Sequence, residues 1–193
     1  KDGSERLTYR IEHVPAGTVF TSTNGQPVGT DLGNGVATDS ASNVYIAGTS
    51  NVDNITGYDV FLVKYNSSTG SPLWTRMLGT SQRDNGIAVT VDGSGNAIMV
   101  GFTQGTLPGQ TTNNGASDMV VVKYNSAGTR QWTVQVAGSS SDLAYTVDVD
   151  SSANIYVAGS TNGNLDGNVL NGASGVVVAK FNSAGVKQWL TVL

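Results

Sequence analysis

Apolar and polar positions follow a pattern that occurs three times from residue 34 onward. Each copy begins with a short alternating segment, crosses an Asp-x-x-x-Asn turn into a second apolar segment, and then enters a polar loop. A continuous apolar run follows, then an Asn-Ser turn and a last segment that carries a tryptophan. Trp74, Trp132 and Trp189 lie 58 and 57 residues apart. A fixed period of this length is the signature of a repeat architecture.

Each copy predicts four β-strands and no helix. Short alternating segments are typical of half-buried strands, and Asp, Asn and Gly between them favour tight hairpin turns. The third segment does not alternate: residues 119–122 read Met-Val-Val-Val, which indicates a strand covered on both faces. Four-stranded sheets stacked face to face are the layout of β-propeller blades. We therefore predict an all-β fold of three propeller-type blades plus a partial N-terminal piece, with less than about a tenth of the chain in helices.

The predicted organisation divides the chain into four parts. Blade repeats span residues 34–83, 84–141 and 142–193, and residues 1–33 do not match the repeat. In this first part, residues 7–12 alternate as a half-buried strand and residues 18–23 form a second strand, while 29–33 are predicted as loop. The segment is a partial blade or a separate clasp.

Three stretches carry a resemblance to a known family. They are YDVFLVKYNSSTGSPLW (58–74), VDGSGNAIMVG (91–101) and VDSSANIYVAG (149–159). Their pattern of DxxGNxYVxG, DxFVxK and LW resembles the bacterial SBBP β-propeller repeat, over about residues 34–193 in three copies. The third copy departs from it, with Gly175 where Asp59 and Asp118 stand. The resemblance implies a secreted or surface-exposed bacterial propeller and transfers no catalytic motif.

Composition narrows the classes of partner. The net charge is −4, which disfavours a nucleic acid, because phosphate binding depends on clustered Lys and Arg. There is no cysteine, so disulfides and thiolate metal sites are excluded. No apolar run approaches the roughly 20 residues that span a bilayer. The sequence starts at Lys1 rather than Met, and we expect that an N-terminal piece has been removed.

The repeated acidic residues have two interpretations. Asp39, Asp92 and Asp150 occupy equivalent positions, which favours a role in the turn of each repeat. In the third copy the alternating oxygens of a calcium loop are also present, and this pattern predicts a weak calcium site. Its ligands would be Asp148, Asp150, Ser152 and Asn154. No downstream Glu supplies a bidentate ligand, and no other cofactor is expected.

The tryptophans and the single histidine are the remaining candidates for chemistry. One tryptophan per blade could serve as a sugar-stacking platform. However, Trp132, Val134 and Val136 share one strand face, which favours packing in the core. His13 has no cysteine or second histidine to work with, and we interpret it as an incidental surface residue.

Recognition is expected where the three copies differ. The loops between the second and third strands are residues 51–58, 104–117 and 162–174, and in a propeller they share one face with the connections between blades. Variable polar loops on a rigid scaffold are the usual place for binding. The candidate ligand-binding residues are Asp53, Tyr58, Arg83, Asp118 and Asp166.

Three hypotheses for function follow. The first is a non-enzymatic extracellular bacterial scaffold that binds a protein, another macromolecule or a glycan through these loops. The second is a structural surface protein that assembles through open blade edges into a closed oligomer or a filament, since propellers have about four to eight blades. The third and least favoured is an enzyme built on a propeller. We expect self-association or a longer parent chain, and hence no stable isolated monomer.

Overall fold

The computed structural model describes residues 31–51, 57–111 and 113–193. Every regular element in these ranges is a β-strand, as the repeat pattern predicts. The strands are β1 (Asp31–Thr38), β2 (Val44–Ser50), β3 (Asp59–Tyr65), β4 (Pro72–Leu78), β5 (Asp84–Val91), β6 (Ala97–Thr103), β7 (Asp118–Tyr124), β8 (Arg130–Val136), β9 (Asp142–Val149), β10 (Ile155–Thr161), β11 (Gly175–Phe181) and β12 (Lys187–Val192).

The strands form three four-stranded antiparallel sheets in which neighbours in sequence are neighbours in space. The first sheet runs β1 to β4, the second β5 to β8 and the third β9 to β12. Strand β5 packs against β1 and β2 of the preceding sheet, and β9 packs in the same way against β5 and β6. The first strand of each later sheet therefore lies against the sheet before it. The predicted all-β fold of three propeller-type blades is confirmed.

The start of the first sheet differs from the sequence-based expectation. Strand β1 begins at Asp31, so the predicted loop at 29–33 is wrong for its last three residues. Asp31, Leu32 and Gly33 pair with residues 48–50 of β2, and a register shift follows between Gly33 and Gly35. Backbone pairing to β2 here overrides the turn preference of glycine. The strands predicted within residues 1–30 lie outside the described residues.

The main core lies in two layers between successive sheets, and a smaller buried cluster around Phe61 lies on the opposite side of the first sheet. Leu62 of the first sheet and Val122 of the second belong to one buried cluster, and Val121 and Phe181 belong to the next. Strand β7 is buried along its whole length, as its unbroken apolar run predicts. Strand β11 differs, because its residues alternate between buried and more exposed. The expected cover on both faces is therefore absent from the outer side of the third sheet, among the residues that the structure describes.

The Asp-x-x-x-Asn turns close the first hairpin of every sheet. In the second sheet, Asp92 accepts hydrogen bonds from the amides of Ser94 and Asn96, both at 3.0 Å, and from the Asn96 side chain. Asp39 and Asp150 make the equivalent bonds. The carboxylate thus satisfies the amides of its own turn, which confirms the interpretation of these residues as turn residues.

Candidate functional site

The variable loops meet at one end of the sheets and form what we call the loop rim. It consists of the described parts of loops 51–58, 104–117 and 162–174, and of the connections 79–83 and 137–141. Backbone contacts join a loop of one sheet to the connection that leads to the next. The Gln104 amide donates to the Arg83 carbonyl at 2.9 Å, and a parallel bridge joins Ser117 to Ser141. The rim is therefore continuous across the three sheets.

Loop 104–117 is fixed to the scaffold by buried groups. Leu107 lies in the core between the first two sheets, and its amide donates to the Gln135 side chain at 3.2 Å. The Gln135 amide group in turn donates to the Gly105 carbonyl and to the Asp118 carboxylate, at 2.9 and 2.8 Å. In loop 162–174, Leu165 is buried in the same way. Such anchors fix the position of the neighbouring polar residues of the rim.

Two of the predicted binding residues come together between the first and second sheets. The Arg83 guanidinium lies 5.6 Å from the centre of the Tyr58 ring and 5.9 Å from that of Phe102. Its Nε donates to the Asn85 side chain at 3.2 Å, and Arg83 itself is exposed. A guanidinium between two aromatic rings is restrained by cation–π contacts and presents a planar donor to carboxylates. We call Tyr58, Arg83 and Phe102 the aromatic clamp.

The other predicted binding residues lie apart from the clamp. Asp118 is fully buried at the start of β7, so its carboxylate is not on the outer surface of the rim. Asp166 is exposed on loop 162–174, has a positive φ and forms an ion pair with Lys187. Asp53 lies outside the described residues.

A row of carboxylates at the rim, two of them fully buried and the first exposed, was missed by the sequence analysis. Asp31, Asp84 and Asp142 each open the first strand of a sheet. Each is matched by a hydroxyl residue that closes the second strand; these are Ser50, Thr103 and Thr161. The signal was present in the sequence, because both sets recur at the same spacings of 53 and 58 residues.

Burial controls the protonation of these carboxylates. It raises the pKa of Asp84 and Asp118, with partial offsets from Thr103 and Gln135 respectively. For Asp142, burial again raises the pKa, Thr161 and Gly138 offset this in part, and the nearby Asp118 carboxylate raises it further. Neither carboxylate oxygen of Asp142 has a hydrogen-bond partner of ordinary geometry. Beneath the rim, therefore, burial makes these carboxyl groups easier to protonate than they are in water.

The residues predicted to bind calcium are engaged in the turn of the third sheet. Asp150 accepts hydrogen bonds from the Ser152 and Asn154 amides, from the Asn154 side chain and from the Tyr156 hydroxyl. Asp148 accepts one from the Val149 amide at 2.8 Å. In the described part of the chain, no group of three or more acidic, histidine or cysteine side chains is placed to hold a metal. The calcium site stays a prediction.

The tryptophans pack between sheets. Trp132 and Val134 lie against the buried cluster that contains Val136, as their shared strand face predicts. The indole Nε1 of Trp132 donates to the Ser183 carbonyl of the next sheet at 3.2 Å. Trp74 is buried and makes the same bond to Ser126 at 3.1 Å. These two rings are packing residues at the junctions between sheets and not open platforms for sugars.

An open cleft of about 540 Å³ lies at the junction between the first and second sheets, along strand β4 and the turn that leads into β8. Arg76 and Arg130 line it, together with Tyr124. Arg76 donates to the Gly128 and Thr75 carbonyls at 2.6 and 2.7 Å, which uses its guanidinium to fasten the two sheets. Burial raises the pKa of Tyr124 to about 12, so this phenol is neutral at physiological pH.

Comparison with protein families supports the repeat assignment. The model of the SBBP beta-propeller repeat matches residues 22–56 and 131–166. The first match includes residues 22–33, which the sequence analysis had placed outside the resemblance. The second runs from β8 to loop 162–174 and so spans the junction between the second and third sheets. The matches together cover less than half of the chain.

Two curated proteins are similar to parts of this chain. The regulatory protein FlaEY of Caulobacter vibrioides is 28% identical, over 61% of this chain and 13% of that protein. An uncharacterized WD repeat-containing protein, L264, of Acanthamoeba polyphaga mimivirus is 23% identical, over 66% of this chain and 12% of its own length. The chain thus spans less than a seventh of either relative. Within the described residues, no helix has the length and apolar character to cross a membrane.

Proposed function

We propose that this protein is a non-enzymatic, extracellular bacterial β-propeller scaffold that binds a macromolecule or a glycan through its loop rim. The observation that carries the proposal is the aromatic clamp, in which exposed Arg83 is restrained by the Tyr58 and Phe102 rings. Arginine and tyrosine dominate the energetics of many binding surfaces, since they combine charge or polarity with large contact area. The similarity to a repeat-containing protein that carries WD repeats is consistent with a protein ligand.

The chemistry of the clamp favours a ligand with carboxylate groups. A planar guanidinium pairs with a carboxylate through two parallel hydrogen bonds, and stacked rings reduce the entropy that it loses on binding. Three of the described acidic residues at the rim do not compete for it: Asp84 and Asp118 are buried, and Asp166 is paired with Lys187. An acidic peptide segment or a uronic-acid glycan is therefore the preferred class of ligand.

Binding to acidic peptide and oligosaccharide arrays tests the proposal. Arg83→Ala should weaken the best binder at least about tenfold, the effect expected for an arginine hot spot. Arg130→Ala is the matched control, because Arg130 is also exposed but lies at the outer edge of the sheets. Loss of affinity in both variants alike, or retention in both, would remove the clamp as the binding site.

The second candidate is a self-assembling structural protein. The observation that favours it is the outer side of the third sheet, where large apolar side chains are exposed; among them are Val176, Trp189 and Leu193. An enzymatic function is the least favoured, because the repeated carboxylates serve the turns or lie buried beneath the rim.

A further inference from the structure

The aromatic clamp occupies positions that hold small residues between the second and third sheets. There the equivalents of Tyr58 and Arg83 are Ser117 and Ser141. The backbone is the same at both places, because the amides that open β5 and β9 donate to the Tyr58 and Ser117 carbonyls at 2.6 and 2.7 Å. The scaffold therefore does not need large side chains at these two positions.

Two positions beside Arg83 depart from the repeat in the same way. Asn85 of β5 and Phe102 of β6 are cross-strand partners, and both are half-buried. In the other two sheets the same pair is a leucine with a hydroxyl residue; the pairs are Leu32 with Thr49 and Leu143 with Ser160. Leucine thus suits the position of Asn85, and a half-buried amide there calls for a reason other than the fold.

Asn85 contacts the guanidinium of the clamp. Its side-chain oxygen accepts a hydrogen bond from the Arg83 Nε at 3.2 Å, and the Arg83 carbonyl accepts one from the Gln104 amide at 2.9 Å. No described residue accepts a hydrogen bond from the Arg83 Nη atoms or from the Asn85 amide nitrogen. Arg83 is therefore held through its Nε and its backbone, while both Nη groups are available to a ligand.

These donors determine how a carboxylate fits the site. The two Nη groups pair with both oxygens of one carboxylate. The Asn85 nitrogen is bonded to the same carbon as the oxygen that holds Nε, so it lies beside the guanidinium and can donate to a second ligand oxygen close to the carboxylate. In a uronic acid, the carbon next to the carboxylate carries the ring oxygen. In an aspartate or glutamate side chain, that carbon carries only hydrogen.

The rest of the rim favours a ligand with few charges. In the described parts of its loops and connections, the charged side chains are Arg83 and Asp166, and Asp166 is already paired with Lys187. The other hydrogen-bonding side chains there are those of Asn, Gln, Ser and Thr, which donate to hydroxyl groups and accept from them. The net charge of −4 also opposes a ligand rich in carboxylates. One carboxylate among neutral hydroxyl groups is the complementary chemistry.

We propose that Asn85 is a positioning and specificity-determining residue of the clamp, and that the clamp binds the uronic-acid unit of an otherwise neutral oligosaccharide. Asn85 holds Nε so that the Nη groups meet the carboxylate, and its amide nitrogen donates to the ring oxygen. This inference rests on the proposed function of the loop rim, and it selects the glycan over the acidic peptide.

Calorimetric titration with three probes tests the class of ligand. The first probe is a xylo-oligosaccharide with a single glucuronic acid, the second is the neutral xylo-oligosaccharide of the same length, and the third is a serine-rich peptide with a single glutamate. The wild type should bind the glucuronate probe at least about tenfold more tightly than either of the others, because only that probe satisfies both sets of donors. Equal or tighter binding of the neutral sugar or of the peptide overturns the proposal.

Asn85→Leu tests the residue, since leucine is native at this position in the other two sheets. It should remove most of the preference for glucuronate over the peptide, whereas a purely structural role would weaken both probes alike. Asn85→Asp has the same size and keeps an acceptor for Nε but no donor, so it should abolish glucuronate binding. Gln131→Leu is the matched control, because it removes an exposed amide on β8 and should change neither affinity. A retained preference in Asn85→Leu, or retained glucuronate binding in Asn85→Asp, overturns the proposal.

Arg83→Ala separates failure of this inference from failure of the proposed function. It should weaken both carboxylate probes, since both use the Nη groups. If it weakens the peptide while the glucuronate probe does not bind the wild type, the clamp is a binding site and uronic acid is the wrong class. If neither carboxylate probe depends on Arg83, the clamp is not the binding site and both proposals fail.

Discussion

The two ends of the sheets use aspartate in opposite ways. At the turn end, hydrogen bonds hold the carboxylate in its charged form: although burial opposes it, Asn43 and Lys64 lower the pKa of Asp39 to about 2. At the rim end, burial raises the pKa of Asp84 and Asp142 above its ordinary value. The difference lies in the number of donors that the local backbone supplies. A turn offers two amides to one carboxylate, as in Asp92, whereas Asp84 at the start of a strand accepts one amide, from Thr80 at 2.6 Å.

This contrast means that the turn end stabilises the fold at neutral pH and the rim end costs stability there. A carboxylate with a lowered pKa stabilises the folded state above the ordinary pKa, and this contribution is lost as pH falls toward the lowered value. A carboxylate with a raised pKa opposes folding above the raised value and stops doing so once it is protonated. Ionisable groups with shifted pKa values often lie near functional sites, even where they lower the stability of the fold.

The largest expected effect is at the turn end. In Asp92→Ala, Lys123 loses its partner at 3.0 Å and stays buried, so the free energy of unfolding should fall by about 3 kcal/mol. Urea denaturation at pH 7 measures it. Asp150→Ala is the control, because Asp150 makes the same turn bonds on an exposed turn, and its loss should be clearly smaller. Equal losses would mean that the turn bonds alone, and not the buried ion pair, set the stability of this end.

At the rim end the expected sign is reversed. Asp142→Asn removes a buried charge that Thr161 and Gly138 offset only in part, so it should raise the free energy of unfolding at pH 7 by about 1 kcal/mol. The gain should shrink as pH falls toward the raised pKa, because the wild-type carboxyl is then protonated as well. Denaturation between pH 3 and 8 gives both values. A variant that is less stable than the wild type at every pH would contradict this account of the rim.

Backbone strain at the turn end gives a smaller effect. Ala153 has φ of +59°, where the equivalent residue of the second sheet is Gly95. Ala153→Gly should raise stability by up to about 1 kcal/mol, since glycine adopts this conformation without a steric penalty. Gly95→Ala should lower it by a similar amount. Thermal unfolding of both variants checks the pair, and shifts of the same sign would show that strain does not decide the turn.

The smallest expected effect concerns calcium at the turn of the third sheet. We expect weak binding at Asp148, Asp150, Ser152 and Asn154, because their oxygens alternate as hard ligands do but are already engaged in hydrogen bonds. Isothermal calorimetry with calcium should give a small heat that Asp148→Ala abolishes. Absence of heat in the wild type would remove the site and leave this turn, like the other two, a purely structural element.

The sequence predicted the scaffold well because the signals of the scaffold are local and repeated. The spacing of Trp74, Trp132 and Trp189, and the turns that Asp39 and Asp92 close, identified the sheets without knowledge of their packing. The candidate site was harder to predict. Residue type placed both Arg83 and Asp118 among the binding residues, but only packing reveals that the first is exposed and the second buried.

The missed features share one physical cause. The buried state of Asp84 and Asp142 depends on the loops above them, and the strand that begins at Asp31 depends on pairing with β2. Neither effect leaves a pattern within a few neighbouring residues. A comparison of all three copies position by position would have found the repeated Asp and hydroxyl pairs, although not their protonation.

The uniform junction between sheets also has an evolutionary consequence. Trp74 donates a hydrogen bond to the carbonyl of Ser126, and Trp132 donates one to the carbonyl of Ser183. Each indole therefore contacts a backbone group that every Asn-Ser-Ala-Gly turn contains. A sheet with this tryptophan can therefore make the same bond to any successor whose turn has the Asn-Ser-Ala-Gly form. Unequal recombination that inserts or deletes one whole repeat of this form would keep that bond at the new junction. The number of repeats in such a gene can then change without loss of this contact. Selection would act more on the variable loops than on the junctions.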